Sequence, residues 1–211
     1  MITRRIATTM HEVLLGAALA LVVFGPALAL AQGGSGITAQ AHQHAQASDK
    51  GGQLNALMQT VRDATARFQD PAAAEAEGYG LMFGCVSGDS AGAMGLHFVN
   101  GALVGDDVLD PARPEIVIYE PMADGRLRLV GADFLVFKDV WDAAHPAAPQ
   151  LMGQLLHLFE APNRFGLPAF YTLHVWAWKP NPNGAFVNWH PDVSCDAFRD
   201  ASSVPDSGPG A

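Results

Sequence analysis

The chain has 211 residues, 49% of them hydrophobic, 9% aromatic and 16% charged, a balance that supplies a real apolar core and excludes a disordered, highly charged chain. Its formal net charge of −9 excludes nucleic acid as a partner, because phosphate binding needs clustered Lys and Arg. The same negative field suits small cations.

Arg4 and Arg5 precede an apolar run from Val13 to Phe24, followed by Pro26 and the small-residue site Ala29-Leu30-Ala31. This pattern predicts a secretory signal over residues 1–31, cleaved before Gln32, and a periplasmic or secreted product with no stable membrane span. The alternative is an uncleaved anchor, since Val13 to Ala31 is just long enough to cross a bilayer; Pro26 and the Ala-x-Ala site favour cleavage. Residues 32–52 are rich in Gln, Ala, Gly, Ser and His. They carry almost no large apolar side chain and read as a flexible tether. Residues 53–198 then form one domain of ordinary size, and 199–211, rich in Ser, Pro, Gly and Asp, form a disordered tail.

Export decides how the cysteines are read. Cys85 and Cys195 are the only two, and an isolated pair in an oxidising compartment is expected to form a disulfide.

Within the domain, Leu54, Leu57, Met58, Val61, Ala64 and Phe68 fall on one stripe at helical spacing, which predicts an amphipathic helix. Asp70-Pro71 opens a second, short helix, with Asp as the cap and Pro at the first position, and Gly78 ends it. Strands follow: Ala93 to Val99, Glu115 to Tyr119, Leu127 to Phe137 and Phe170 to Trp178 are rich in β-branched and aromatic residues between Gly, Pro, Asp and Asn clusters. Asp124-Gly125 fits a hairpin turn, and residues 152–159 suit either strand or helix. The expected fold is α+β, an N-terminal amphipathic helix pair packed on a curved, mostly antiparallel sheet, with one disulfide.

Four strands each set a polar group in an apolar stretch: His97, Glu120, Asp133 and His174. Period-two alternation places His97 with Gly95 and Val99, Glu120 with Ile116 and Ile118, Asp133 with Gly131 and Leu135, and His174 with Thr172 and Trp176. If those faces converge, two imidazoles and two carboxylates line one cavity. That donor set suits a divalent Zn, Fe or Mn ion, or Cu with Met94 and Met122 nearby. Read singly, each is a satisfied core histidine or a strand carboxylate. His157 reads as a surface residue and His190 as a loop histidine bonded to backbone. The four tryptophans, Trp141, Trp176, Trp178 and Trp189, read as core rather than as a stacking platform. No nucleophile elbow, P-loop, dinucleotide fingerprint, His-Glu-x-x-His or haem-attachment motif is present.

Gly92-Ala93-Met94-Gly95-Leu96-His97-Phe98, Tyr119-Glu120-Pro121, Leu173-His174-Val175-Trp176 and the stretch from Asn181-Pro182 through Trp189 to Val193-Ser194-Cys195 resemble widespread uncharacterised exported bacterial proteins. The resemblance spans nearly all of the mature chain and implies a single domain with a site near His97 and His174. Such proteins often carry Val-Glu-Tyr where this chain has Ala132-Asp133-Phe134, and Asn where it has His190. That implies a retained but shortened carboxylate at Asp133 and argues against His190 as a ligand. No reaction comes with the resemblance.

Three functional readings follow. The first is a domain that binds a divalent metal or small ligand through His97, His174 and one or both of Glu120 and Asp133. The second is a metal-free structural or interaction module of the cell envelope. The third is a ligand carrier with a dry aromatic pocket.

Overall fold

The computed structural model describes residues 52–53 and 56–199. The expected signal (1–31), the tether (32–52) apart from Gly52, and the tail (199–211) apart from Arg199 lie outside the described residues, as does Leu54 of the helical stripe.

Residues 56–65 form helix α1, which buries Leu57 and Val61 completely. A 3-10 turn, Ala66–Gln69, leads to α2, Pro71–Ala76. The Asp70 side chain accepts the Ala72 N–H at 3.0 Å and Pro71 opens the helix, the capping chemistry that the Asp-Pro pair predicts. Strands β1 (Tyr79–Ser87) and β2 (Ala93–Asn100) follow, then the short helix α3 (Gly101–Val104), β3 (Ile116–Pro121) and β4 (Leu127–Phe137). After them come α4 (Lys138–Ala144), a small hairpin of β5 (Gln150–Leu151) and β6 (Gln154–Leu155), β7 (His157–Phe159) and β8 (Phe170–Val175). The main sheet runs β1-β2-β3-β4-β8-β7, and every neighbouring pair is antiparallel.

Alternation along the strands gives the sheet two different faces. One carries Leu96, Phe98, Val117, Tyr119, Ala132, Phe134, Leu173 and Val175 and is clustered with Leu57, Val61, Phe68 and Ala74 of the helical segment. Polar ties fix that layer: the Tyr119 hydroxyl donates to the Phe68 carbonyl at 2.8 Å, and the Trp178 indole N–H donates to the Thr65 hydroxyl at 2.9 Å. The other face carries Ile116, Ile118, Leu135, Phe170 and Trp176 and, among them, the candidate polar residues.

One stretch that the sequence leaves open takes a single form, and one strand boundary differs from expectation. Residues 152–159 resolve as strand: Met152 and Gly153, at φ 46° and 82°, make the tight turn between β5 and β6, and β7 pairs with β8. Strand β8 stops at Val175 instead of reaching Trp178. The register shift beside Ile118 leaves Val130 without a partner in β3, and its carbonyl accepts the N–H groups of both Trp178 and Lys179 at 3.0 and 3.2 Å. The expected hairpin at Asp124-Gly125 forms, with Gly125 at φ 83° and the Met122 N–H donating to the Arg126 carbonyl at 2.8 Å.

Cys85 in β1 is bonded to Cys195, 110 positions later, with Cα atoms 5.7 Å apart. The bridge ties the edge strand to the C-terminal segment, which also meets the sheet through an isolated bridge between Ala93 and His190, through buried Val193 and through Phe198. Because the closed loop is long, replacing both cysteines by serine is expected to lower the unfolding free energy by ~2–5 kcal/mol in urea titrations. An unchanged midpoint would mean that packing alone holds the segment.

Candidate metal centre

His97 projects from β2, Asp133 from β4 and His174 from β8. Asp133 stands directly opposite His174 in the ladder, while His97 pairs with Ile118 of β3. β2 and β8 are three strand spacings apart, ~14 Å on a flat sheet, yet the two imidazole centroids are only 5.9 Å apart. The side chains therefore reach toward each other over β3 and β4. One nitrogen or carboxylate oxygen from each of the three residues lies within 4.8 Å of the other two, and the residues are only 5%, 6% and 1% exposed.

Each member is held by a specific neighbour. His97 Nδ1 lies 3.2 Å from the Gly95 carbonyl. A carbonyl only accepts, so Nδ1 carries the hydrogen and Nε2 is left with a free lone pair. Gly95 itself sits at φ 103°, and a Cβ there would come within 2.6 Å of the Tyr119 carbonyl oxygen, so no larger residue fits without displacing β3. The Thr172 hydroxyl donates to Asp133 Oδ1 at 2.5 Å, and Asp133 Oδ2 lies 3.4 Å from His174 Nδ1. His174 Nε2 is buried and has no hydrogen-bond partner among the described residues. A buried ring nitrogen in that condition is costly. The ring packs on Trp176, whose own indole N–H donates to the Val187 carbonyl at 2.6 Å.

Burial pushes the His97 imidazole down to about 4, helped by neighbouring His174 and opposed by Asp133 and the Gly95 carbonyl. His97 is thus neutral at physiological pH, the state in which an imidazole binds metal.

Glu120, expected from the sequence as a further ligand, is not part of the cluster. Beyond the register shift at Ile118 it stands opposite Arg128, with which it forms an ion pair, and it also accepts from Lys179 Nζ at 3.0 Å. Burial works against its charge, but Arg128 and Lys179 outweigh it and hold the carboxyl below its ordinary value. Met94 lines the cavity beside His97, whereas Met122 lines a different part of the surface. His157 is exposed in β7. His190 bonds only backbone: its Nε2–H donates to the Pro180 carbonyl and its Nδ1 accepts from the Asp192 N–H, both at 3.0 Å. Of the tryptophans, Trp176 is fully buried in the core, while Trp141 stacks on His145.

Two residues of the site, Thr172 and Asn188, and one buried carboxylate near it, Glu115, were not singled out from the sequence. Thr172 orients Asp133, and the alternation rule does put it on His174's face. Asn188, in a loop without periodicity, lines the same cavity and has a buried Oδ1 with no partner among the described residues. Glu115 is 1% exposed; its Oε2 accepts the Leu135 N–H at 3.1 Å. Burial raises its carboxyl to about 8 against these backbone donors, with Asp133 adding to the rise. Its only outward signal was a carboxylate directly before an apolar strand.

The cavity in front of His97 and Asp133 leaves about 30 Å³ for the centre of a water-sized particle, more than the ~10–15 Å³ one water needs. Its outer wall is aromatic, with Phe83, Phe159, Phe165 and Phe170. Phe83 stands at φ 63° in the bulge between Met82 and Cys85. A bulky residue rarely adopts that conformation, and here it accompanies contact with Phe165 at 5.5 Å across the mouth.

Neither a protein-family model, nor a curated protein, nor a solved structure matches the chain. Function has to be argued from the site alone.

Glu115 makes stability depend on pH. Its carboxyl binds a proton more tightly when folded, up to about 8, than an unfolded glutamate at ~4.3. Its contribution is fully present below the unfolded value and is lost as pH rises through the folded one, at no more than ~1.4 kcal/mol per pH unit. Urea unfolding between pH 5 and pH 8 is expected to show wild type losing stability relative to Glu115→Gln; parallel curves would count against a neutral Glu115.

Proposed function

We propose that this is a periplasmic or secreted protein whose domain holds one divalent transition-metal ion through His97, Asp133 and His174. The observation that carries the reading is a buried trio of metal-type donors whose ligand atoms all lie within 4.8 Å of one another. The 3.4 Å between His174 Nδ1 and Asp133 Oδ2 is long for a hydrogen bond. It matches the spacing of two donors that each lie about 2.0–2.1 Å from one tetrahedral ion, which is about 3.3–3.4 Å. A cation would also compensate the burial of the Asp133 carboxylate in an otherwise apolar face.

Two histidines and one carboxylate leave coordination positions open, as catalytic zinc and non-haem iron sites do. The set suits Zn, Fe or Mn, and Met94 in the cavity wall adds a soft neighbour for Cu. A bound ion would act there as a Lewis acid or activate water. The protein's own part is to fix the ligands: Gly95 sets the His97 tautomer, Thr172 aims Asp133, and Trp176 limits the tilt of the His174 ring. An exported location is supported by the N-terminal signal pattern and by the Cys85–Cys195 disulfide, which suits an oxidising compartment.

Elemental analysis of the purified protein is expected to find about one transition-metal ion per chain. His97→Ala and His174→Ala are expected to lose it while keeping the far-ultraviolet circular dichroism of the sheet. Thr172→Val is expected to retain the ion with ~10–100-fold weaker affinity, the usual cost of removing a ligand's outer partner. A folded, metal-free protein that takes up no ion in equilibrium dialysis would return the trio to a role in internal packing and place function on the outer surface.

A further inference from the structure

The cavity before His97 and Asp133 does not stand alone. Beside it lies a second hollow of about 160 Å³, walled by Met82, Val99, Val104 and Phe137 with no polar side chain. Phe83, Ile116, Leu135 and Leu167 line both. The two adjoin along the strand direction: the inner one is at His97 in β2 and the outer one reaches Gly101, four residues or ~13 Å further on. All the polar groups, His97, Asp133, Thr172 and Asn188 Oδ1, are at the inner end. The outer end is open and apolar, with Met82 and Phe83 nearly half exposed.

A polar end followed by a long apolar trough is the complement of one small-molecule shape. The geometry points to a single-chain amphiphile, with a neutral hydroxyl head at the inner end and an unbranched alkyl tail of medium length along Phe83, Ile116, Leu135 and Val104. The head is a hydroxyl rather than a carboxylate for two reasons. Asn188 Oδ1, without a partner among the described residues, needs a donor, which an ionised carboxylate lacks, and a hydroxyl can offer that hydrogen while its oxygen faces the ion. An aromatic ligand fits less well, because the inner space is close to that of a single water while the apolar length lies outward. The proposal deepens the metal reading, on which it rests for the oxygen atom's partner; the tail site stands on the apolar walls.

Calorimetric titration of the purified, metal-loaded protein with hexan-1-ol, octan-1-ol and octanoate tests it. Octan-1-ol is expected to bind about 15-fold more tightly than hexan-1-ol, the effect of burying two further methylenes at ~0.8 kcal/mol each, and more tightly than octanoate. Val104→Asp, on the exposed short helix, is expected to remove the chain-length dependence; its circular dichroism shows whether the fold is kept, and Leu167→Asp serves as a second variant on the opposite wall. Equal affinity for the two alcohols, a preference for octanoate, or no binding overturns the proposal. Repeating the titration after chelation separates the two readings. Alcohol binding that keeps its chain-length dependence without an ion upholds the amphiphile site whatever the metal content, and a stoichiometric ion with no alcohol binding overturns this proposal alone.

Discussion

The Asp133 carboxylate in the apolar face of the sheet is the constraint on which the rest of the site depends. A carboxylate in such a place is tolerable only if its oxygens are engaged. Thr172 takes one oxygen and His174 stands beside the other, both from the adjacent strand β8. Those contacts need β4 and β8 in their observed register. A slip of one residue would carry Asp133 to the helix-covered face and Thr172 away from it. Register and site are therefore one requirement, and close backbone packing enforces it: a Cβ on Gly131 would meet the Val175 carbonyl oxygen at 2.4 Å.

The two faces of the sheet divide the work. The face under α1 and α2 is a conventional core, closed by aromatic and aliphatic packing and by side-chain hydrogen bonds to backbone. The opposite face is covered by the short helix α3 through Val104, by loops carrying Phe165 and Leu167, and by the segment that ends at Cys195. Loop cover leaves a cavity where helix packing would fill it. The disulfide then substitutes for part of the packing that this covering segment lacks, by tying it to the edge strand. Within that cover, His190 serves as a structural clasp, with both nitrogens spent on backbone groups.

The cavity and the trio also explain each other's composition. Aromatic walls keep bulk water from His97, which favours its neutral imidazole. They also raise the strength of any charge interaction inside, since the effective dielectric falls. Phe83 is the point where backbone and site meet: the bulge that gives it a left-handed conformation also places its ring at the rim, opposite Phe165.

Much of this was legible in the residues. Strand positions followed from β-branched and aromatic runs, the Asp70-Pro71 cap and the Asp124-Gly125 turn from local chemistry, and the Cys85–Cys195 pair from there being no other partner. Period-two alternation correctly put His97, Asp133 and His174 on one face each, because side-chain direction in a strand is a local property. It also put Glu120 on the face of Ile116 and Ile118, but alternation does not show how far along the strand that carboxylate stands from the trio, nor that Arg128 and Lys179 engage it. It passed over Asn188, whose loop has no period, and Glu115, whose burial depends on what packs over it. Sequence by itself determined which donors this protein owns and on which strands they stand. Which of them meet, and which are neutralised elsewhere, was decided only by the tertiary structure, because strand order, bulges and loop cover are set by contacts between residues far apart in the chain.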